Sequence, residues 1–180
     1  MDKQPEPEII DIYQGRYKAH QQRKKLQLLE LMKLRYSERI FSDKPVEPEK
    51  IQQILDLVSL APSSCNRHAI QIKVIESRDD KQLLSGLLVG GVGWLHRAAK
   101  IFLLFGDRFA YKENVFYMPY IDAGVLVMTI YMICTELGLA CCYVNPNIRV
   151  AHDKYFYDAF VKDDDKLYCG ALAIGYKDGE

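Results

Sequence analysis

The chain has 180 residues, of which 49% are hydrophobic and 27% are charged, as in an ordinary soluble globular domain. Its 24 lysine and arginine residues equal its 24 aspartate and glutamate residues, so the overall charge favours neither nucleic acid nor an acidic membrane as a partner. The N-terminal residues contain no apolar run of the signal-peptide kind, and the longest apolar run, 125–134, is too short to span a bilayer. We therefore expect a cytoplasmic protein.

The five cysteines are an odd number with no repeated C-x-x-C pair, and the four histidines are scattered. The sequence therefore predicts neither a metal site nor a disulfide framework. Cys141 and Cys142 lie in an apolar stretch and are expected to behave as small hydrophobic side chains.

Hydrophobic periodicity and turn residues predict five helices and four strands: two helices come first, and strands then alternate with the remaining helices. The helices are expected at 17–36, 48–60, 79–88, 122–137 and 152–160, and the strands at 70–75, 100–105, 139–144 and 167–174. This order predicts a layered α+β or α/β domain with about four core strands. The helix at 122–137 is expected to begin with Asp122 as its N-cap and to end at Gly138. It is apolar on nearly every face, so we expect a second subunit to cover part of it.

Arg35, Ser37 and Arg39 are spaced two residues apart near the end of the first predicted helix. In an extended segment they would share one side, where two guanidinium groups and a hydroxyl suit a phosphate. The alternative, which composition alone favours, is that arginines near a helix C-terminus complement the helix dipole and remain solvated.

The loop 62–66 reads Pro-Ser-Ser-Cys-Asn and lies between a predicted helix and a predicted strand. Its hydroxyl and amide groups suit a small ligand, although serine and asparagine are also common turn residues. No G-x-S-x-G pattern surrounds the serines, so a nucleophilic serine is not expected. The glycine-rich stretch 86–93 matches no nucleotide-binding pattern and is interpreted as a flexible connection rather than as a surface for a flat ligand.

Taken together, these segments resemble the nitroreductase family. The resemblance is carried by Arg35-Tyr36-Ser37-Glu38-Arg39-Ile40-Phe41, Ala61-Pro62-Ser63-Ser64-Cys65-Asn66, Asp122-Ala123-Gly124, Leu137-Gly138-Leu139 and the closing Cys169-Gly170-Ala171-Leu172-Ala173-Ile174-Gly175-Tyr176. It covers roughly residues 30–176, in the family's order.

The resemblance implies an α+β fold with three layers, α/β/α, around a central and mostly antiparallel sheet of four to five strands. It also implies an intertwined homodimer with two FMN sites at the subunit interface. Residues 1–25 are then an N-terminal extension that is partly ordered or wraps the partner, and residues 26–180 form a single FMN-binding domain.

The family's cofactor contacts map onto ten residues of this chain. By resemblance, Arg35, Ser37 and Arg39 contact the FMN phosphate and its surroundings, and Pro62, Ser63, Ser64 and Asn66 reach the flavin from the other subunit. The main chain of Tyr143, Val144 and Asn145 is expected to lie against the flavin ring. No catalytic side chain is expected, because the flavin carries the chemistry.

Three positions depart from the family pattern. His68 stands where glutamine is frequent, and Pro146 stands where glycine is common. The sequence ends at Glu180, where the family commonly continues with basic residues. Either Arg149 or Arg67 takes their place, or Arg35 and Arg39 contribute more to phosphate binding.

The activity that the resemblance implies is transfer of electrons from NADH or NADPH, through FMN, to a nitroaromatic, a quinone or a similar conjugated acceptor, with ping-pong kinetics. Two alternatives remain. One is a specialised flavin oxidase, dehydrogenase or flavin-consuming enzyme of the same fold. The other is a non-catalytic flavin-binding dimer.

Overall fold

The computed structural model describes residues 28–112, 115–161 and 165–179. The chain divides after Lys33 into two compact units. Of the first unit the structure describes only residues 28–33, which belong to helix α1 (Leu28–Leu34). The earlier part of the helix predicted at 17–36, and the predicted boundary between residues 25 and 26, lie outside the described residues.

The second unit contains the remaining predicted helices and strands, each within a few residues of its expected bounds. They are α2 (Pro48–Val58), β1 (Ile70–Ile75), α3 (Arg78–Leu87), β2 (Lys100–Asp107), α4 (Met118–Glu136), β3 (Ala140–Val144), α5 (Val150–Phe160) and β4 (Lys166–Gly175).

The four strands form one sheet in the order β1-β2-β4-β3, and every neighbouring pair is antiparallel. The central strands β2 and β4 are buried along almost their whole length, which explains their continuous apolar sequences. The edge strand β1 alternates apolar and polar residues, and its polar residues Gln71 and Lys73 are exposed whereas its apolar residues are partly or fully buried. The predicted antiparallel α+β sheet is therefore confirmed.

Helices cover both faces of the sheet. Phe102 of β2 packs in one core with residues of α2 and α4, such as Ile54 and Ile130. Its neighbour Leu103 packs in a second core with residues of α3 and α5, such as Leu84. Successive strand residues point to opposite faces, so one apolar strand supplies both cores. This confirms the three layers α/β/α.

Helix α4 begins four residues earlier than the sequence predicts. Pro119 lies in its first turn, where a missing N–H is tolerated, and the helix starts at Met118. The predicted N-cap role of Asp122 is therefore wrong, because this residue lies inside the helix and is buried. Gly138, with φ of +67°, follows the helix as predicted.

Among the described helices, α4 is the one that is long and apolar enough to cross a bilayer. Core helices of soluble proteins meet the same criterion. Residues such as Ile130 and Cys134 on its inner face are fully buried in the core beside the sheet.

Candidate functional site

The segment 35–39 runs alongside the edge strand β3. Ser37 forms a parallel bridge with Cys141, and the N–H of Glu38 donates to the Cys141 carbonyl over 3.1 Å. The hydroxyl of Ser37 lies 3.0 Å from that of Tyr131 on α4. Because the segment is extended, alternate side chains share a side. On one side, Arg35 lies over the Tyr131 ring. On the other, the Tyr36 hydroxyl donates to the Glu38 carboxylate.

Glu38 fixes the main chain between the two arginines. Its buried carboxylate accepts hydrogen bonds from the N–H groups of Arg39 (2.8 Å) and Ile40 (2.7 Å) and from the hydroxyl of Tyr36 (2.9 Å). Burial alone raises the pKa of a carboxyl group, but here these hydrogen bonds outweigh it and hold the pKa of Glu38 below its ordinary value. The ionised carboxylate therefore holds the main chain of Arg39 in place.

The end of β3 presents main-chain groups at the same edge of the sheet. The N–H of Tyr143 donates to the Tyr131 hydroxyl over 2.7 Å, pointing away from β4. Asn145 follows directly after β3, and the alternation of peptide groups along an antiparallel strand predicts that its N–H faces this edge too. No described residue accepts a hydrogen bond from it. Of the expected main-chain donors at 143–145, the N–H of Asn145 is thus the one left open at this edge.

The ring of Tyr143 is held in place by a close approach to the backbone of β4. Its hydroxyl donates to the Cys169 carbonyl over 2.8 Å. A Cβ at Gly170, whose φ is +119°, would lie 2.5 Å from the ring, so glycine is required there.

Part of the glycine-rich stretch packs against the end of β3 as an ordered turn. The N–H of Val89 donates to the Asn147 carbonyl over 3.1 Å, and a Cβ at Gly90 would lie 3.2 Å from Val144. Trp94 donates its indole N–H to the Gly90 carbonyl, and the Arg39 guanidinium lies 5.9 Å from the Trp94 ring centroid. This turn therefore lies beside both Arg39 and β3.

We call Arg35, Ser37 and Arg39, together with Tyr131 and residues 143–145, the clamp cluster. Arg35 is half-buried, Arg39 is exposed, and neither guanidinium forms an ion pair with a described residue. Two uncompensated guanidinium groups, a hydroxyl and an open N–H at one sheet edge fit a ligand that carries a phosphate and a polar ring.

The loop 62–68 lies elsewhere, against the first half of α4. Ser64 donates to Asp122 twice, from its N–H over 2.9 Å and from its hydroxyl over 2.7 Å. The hydroxyl of Tyr111 donates to the second oxygen of Asp122. Within the loop, the hydroxyl of Ser63 accepts the N–H of His68 over 2.9 Å. Asp122 is thus the centre of a hydrogen-bond network that holds the loop.

The loop is held in a strained conformation. Cys65, Asn66 and His68 have φ of 53°, 55° and 48°, in the left-handed region that favours glycine. Such a conformation costs roughly 1 kcal/mol or more for each residue and persists where surrounding contacts impose it.

Tyr111 reinforces this network. Burial and the adjacent Asp122 raise the pKa of Tyr111 to about 12, so its hydroxyl remains a donor throughout the neutral range. A cavity of about 490 Å³ opens beside the loop, and Ser63, His68 and Asp122 line it together with apolar residues of α2 and β1.

Within one chain the clamp cluster and the loop are separated. They contact α4 through Tyr131 and Asp122, which lie nine residues apart, or about 14 Å along the helix axis. The structure therefore brings Arg35, Ser37 and Arg39 to residues 143–145, and gathers Pro62, Ser63, Ser64 and Asn66 in a second place.

A known protein family matches a region that contains both segment 35–39 and the loop 62–68. Residues 32–92 match the sequence model of the nitroreductase family. Over 67 residues, which are 37% of this chain, the sequence is 36% identical to a Bacillus subtilis (strain 168) protein named FMN reductase (NAD(P)H). The match covers 26% of that protein, so this chain aligns with only about a quarter of its length.

Solved structures extend the likeness to most of the chain. A nitroreductase family protein from Clostridium difficile 630 superimposes with a TM-score of 0.70 at 27% identity, covering 84% of each chain. The chain has the fold of the nitroreductase family. An FMN-dependent nitroreductase from Clostridium difficile R20291 gives a TM-score of 0.73 at 27% identity, over 83% of this chain and 87% of the other. The family resemblance expected from the sequence is thus confirmed.

Four residues that hold the site together in this nitroreductase fold were not placed in it by the sequence analysis. Glu38 and Tyr131 are anchors of the clamp cluster, while Tyr111 and Asp122 are anchors of the loop. The available signals were polar groups inside apolar surroundings, such as the Tyr131 hydroxyl in the apolar helix α4. Such groups need partners when buried, but the sequence does not say which partners.

Proposed function

We propose that this chain is an FMN-dependent oxidoreductase that uses NADH or NADPH as electron donor. Its acceptor would be a nitroaromatic, a quinone or a similar conjugated compound. The observation that carries the proposal is the anchoring of Arg35, Ser37 and Arg39 beside the end of β3, in a chain with the nitroreductase fold. The names of the Bacillus subtilis and Clostridium difficile R20291 relatives support FMN as the cofactor.

The residues of the clamp cluster would bind the two polar ends of FMN. Arg35, Ser37 and Arg39 would hold the phosphate and its surroundings by charge-assisted hydrogen bonds. The N–H of Asn145 would donate to the ring system, as a fixed dipole that needs no reorganisation. FMN, when bound, supplies the redox chemistry, and use of one site by donor and acceptor in turn gives ping-pong kinetics.

We further propose a homodimer in which Pro62, Ser63, Ser64 and Asn66 of one subunit complete the site of the other. The distance between the loop and the clamp cluster along α4 supports this arrangement. A stripe of exposed apolar residues on α4, at Ile121, Val125 and Met128, supports it as well, because their spacing of four and three residues places them on one helix face.

The cytoplasm is the compartment we propose. All five cysteines are free thiols in the structure, and four of them are buried. Unpaired thiols are the usual state in a reducing compartment.

The visible absorbance spectrum of the purified protein tests the activity. We expect a flavin spectrum that NADPH or NADH bleaches under anaerobic conditions, and that returns when a quinone is added. A bound flavin that neither nucleotide bleaches would instead favour a flavin oxidase, a dehydrogenase or a non-catalytic flavin protein. A colourless protein that FMN does not reconstitute would rule out the proposal.

Subunit complementation tests the shared site. Arg35→Ala damages the clamp cluster and Asn66→Ala damages the loop, so each variant alone should bind FMN weakly. In a heterodimer purified through two different tags, the intact clamp cluster of one subunit and the intact loop of the other would form one undamaged site. We expect half of the parent's high-affinity FMN binding, whereas no recovery would show that both parts serve the same subunit's site.

A further inference from the structure

A second cavity, of about 440 Å³, lies where β2 begins. It is formed by the loop 42–46, the start of α3 and residues 96–100. No residue of the clamp cluster lines it. Ser42, the first lining residue along the chain, follows Phe41, whose ring stacks on Trp94 with the ring centroids 6.3 Å apart. Its volume is in the range of about 300–1,000 Å³ that is usual for small-molecule sites.

The lining of this cavity is strongly basic, although the chain as a whole carries no net charge. Its charged lining residues comprise one carboxylate, five lysines and arginines, and one histidine: Asp43, Lys44, Arg78, Lys81, Arg97, Lys100 and His96. The local excess of positive charge is therefore a property of this cavity and not of the overall composition.

Few of these cations are neutralised by neighbouring carboxylates. Lys100 pairs with the exposed Glu76 at 2.8 Å. The guanidinium groups of Arg78 and Arg97 form neither a hydrogen bond nor an ion pair with any described residue. Both therefore present their donors to a ligand without breaking an existing contact.

Lys81 is held close to another cation. Its ammonium group donates to the carbonyls of Ala98 (2.9 Å) and Ala99 (3.4 Å), which fixes it at the cavity wall. Burial and the nearby charge of Lys100 lower the pKa of Lys81. A bound anion would offset the repulsion between these two ammonium groups.

We propose that this cavity binds a phosphorylated small molecule through its phosphate groups. Arg78 and Arg97 suit bidentate contacts to phosphate oxygens, and Lys81 and Lys100 act as point charges. The N-terminus of α3 adds little, because Asp79 and Asp80 in its first turn already complement the helix dipole.

The ligand is recognised by its charge and not by a base. Apart from the His96 imidazole, no aromatic ring is among the residues that line the cavity in the described part of the chain. A nucleobase would therefore find no stacking partner. Affinity should rise with the number of phosphate groups, whether they belong to inorganic pyrophosphate or to a nucleotide.

Isothermal titration of the protein loaded with one equivalent of FMN, with no free FMN in solution, tests this site while the clamp cluster is filled. The titrants are pyrophosphate, ADP, AMP and adenosine. We expect pyrophosphate and ADP to bind, AMP to bind more weakly and adenosine not to bind. Tighter binding of ADP would point to a nucleotide as the ligand, and tighter binding of pyrophosphate to an inorganic anion.

Substitutions in the cavity lining test whether pyrophosphate binds there. The double variant Arg78→Gln, Arg97→Gln should weaken pyrophosphate binding at least tenfold with an unchanged melting temperature, because neither guanidinium has a structural partner. Lys154→Gln, at an exposed ion pair on α5, is the matched control and should bind as the parent does. Absence of pyrophosphate binding up to about 10 mM, equal binding by the double variant, or adenosine binding as tightly as ADP would each overturn the proposal.

Discussion

The clamp cluster and the loop 62–68 contribute to the candidate site in two different ways. Segment 35–39 is fixed mainly by main-chain contacts, with a bridge to β3 and with Glu38 bonded to two N–H groups. The loop has left-handed residues at Cys65, Asn66 and His68, and a network centred on Asp122 holds it.

Because of this difference, ligand affinity and folding stability should depend on different residues in the clamp cluster and on shared residues in the loop. In the clamp cluster the two guanidinium groups proposed to contact the phosphate, those of Arg35 and Arg39, are not the groups that hold the segment in place. In the loop, Ser64 both belongs to the proposed cofactor contacts and donates two hydrogen bonds to Asp122. Changes in the clamp cluster should therefore affect ligand affinity first, and changes in the loop should affect stability first.

The largest effect is expected from Asp122→Ala. It leaves two donors of Ser64 and the hydroxyl of Tyr111 without their acceptor, and it removes the contact that imposes the strained loop. We expect the free energy of unfolding to fall by about 2–4 kcal/mol, measured by urea denaturation. Asp158→Ala, which breaks an exposed ion pair, is the control and should change it by less than about 1 kcal/mol. A loss below about 1 kcal/mol for Asp122→Ala would contradict this role.

Arg35→Ala should show the opposite pattern. The guanidinium lies over the Tyr131 ring without an ion pair to any described residue, so its removal should change the melting temperature of the apoprotein little. The dissociation constant for FMN should rise about tenfold to a hundredfold, as for loss of a charge-assisted hydrogen bond. Flavin fluorescence titration measures it, and Lys154→Ala serves as the control. Equal FMN affinity in parent and variant would remove Arg35 from the proposed phosphate contacts.

The sequence predicted the fold better than it predicted the site. Periodicity located the described strands and the helices from α2 onward because each element has one or two apolar faces, as β2 shows with Phe102 and Leu103. The buried position of Asp122 was not predictable, because the start of α4 depends on Pro119 and on preceding aromatic residues that also suit a loop. The partners of Glu38 and Tyr131 depend on tertiary contacts, which no local pattern encodes.

The pH dependence of stability in the variant Glu38→Gln tests whether the charge of Glu38 anchors the clamp cluster. Hydrogen bonds hold the pKa of Glu38 below its ordinary value of 4.5, so its ionised form stabilises the folded state above that pH. This contribution is lost as the pH falls through the lowered pKa of the folded state. We expect the variant to be less stable than the parent by about 1–2 kcal/mol at pH 7, with a difference that shrinks below pH 4.5. A difference that stays constant from pH 7 to pH 3 would show that the charge of Glu38 is not responsible.

The variant Tyr111→Phe tests how the loop contributes to stability at alkaline pH. At neutral pH it should have the smallest effect, lowering the free energy of unfolding by about 1 kcal/mol, because one hydrogen bond to Asp122 is lost. The pKa of Tyr111 is raised from 10.0 to about 12, so the protonated phenol stabilises the folded state fully below pH 10, and this contribution is lost as the pH rises toward 12. The pKa values of Tyr143 and Cys169 are also raised to about 12, so the parent should lose stability steeply over this range.

The variant should lose stability less steeply between pH 10 and pH 12, measured by urea denaturation at each pH. Tyr155→Phe, at an exposed phenol on α5, is the control and should follow the parent. If Tyr111→Phe instead kept the parent's full alkaline slope, ionisation of other phenols and thiols with raised pKa values, such as Tyr143 and Cys169, would account for it. The hydrogen bond between Tyr111 and Asp122 would then be a minor support of the loop, and Ser64 would be its main link to α4.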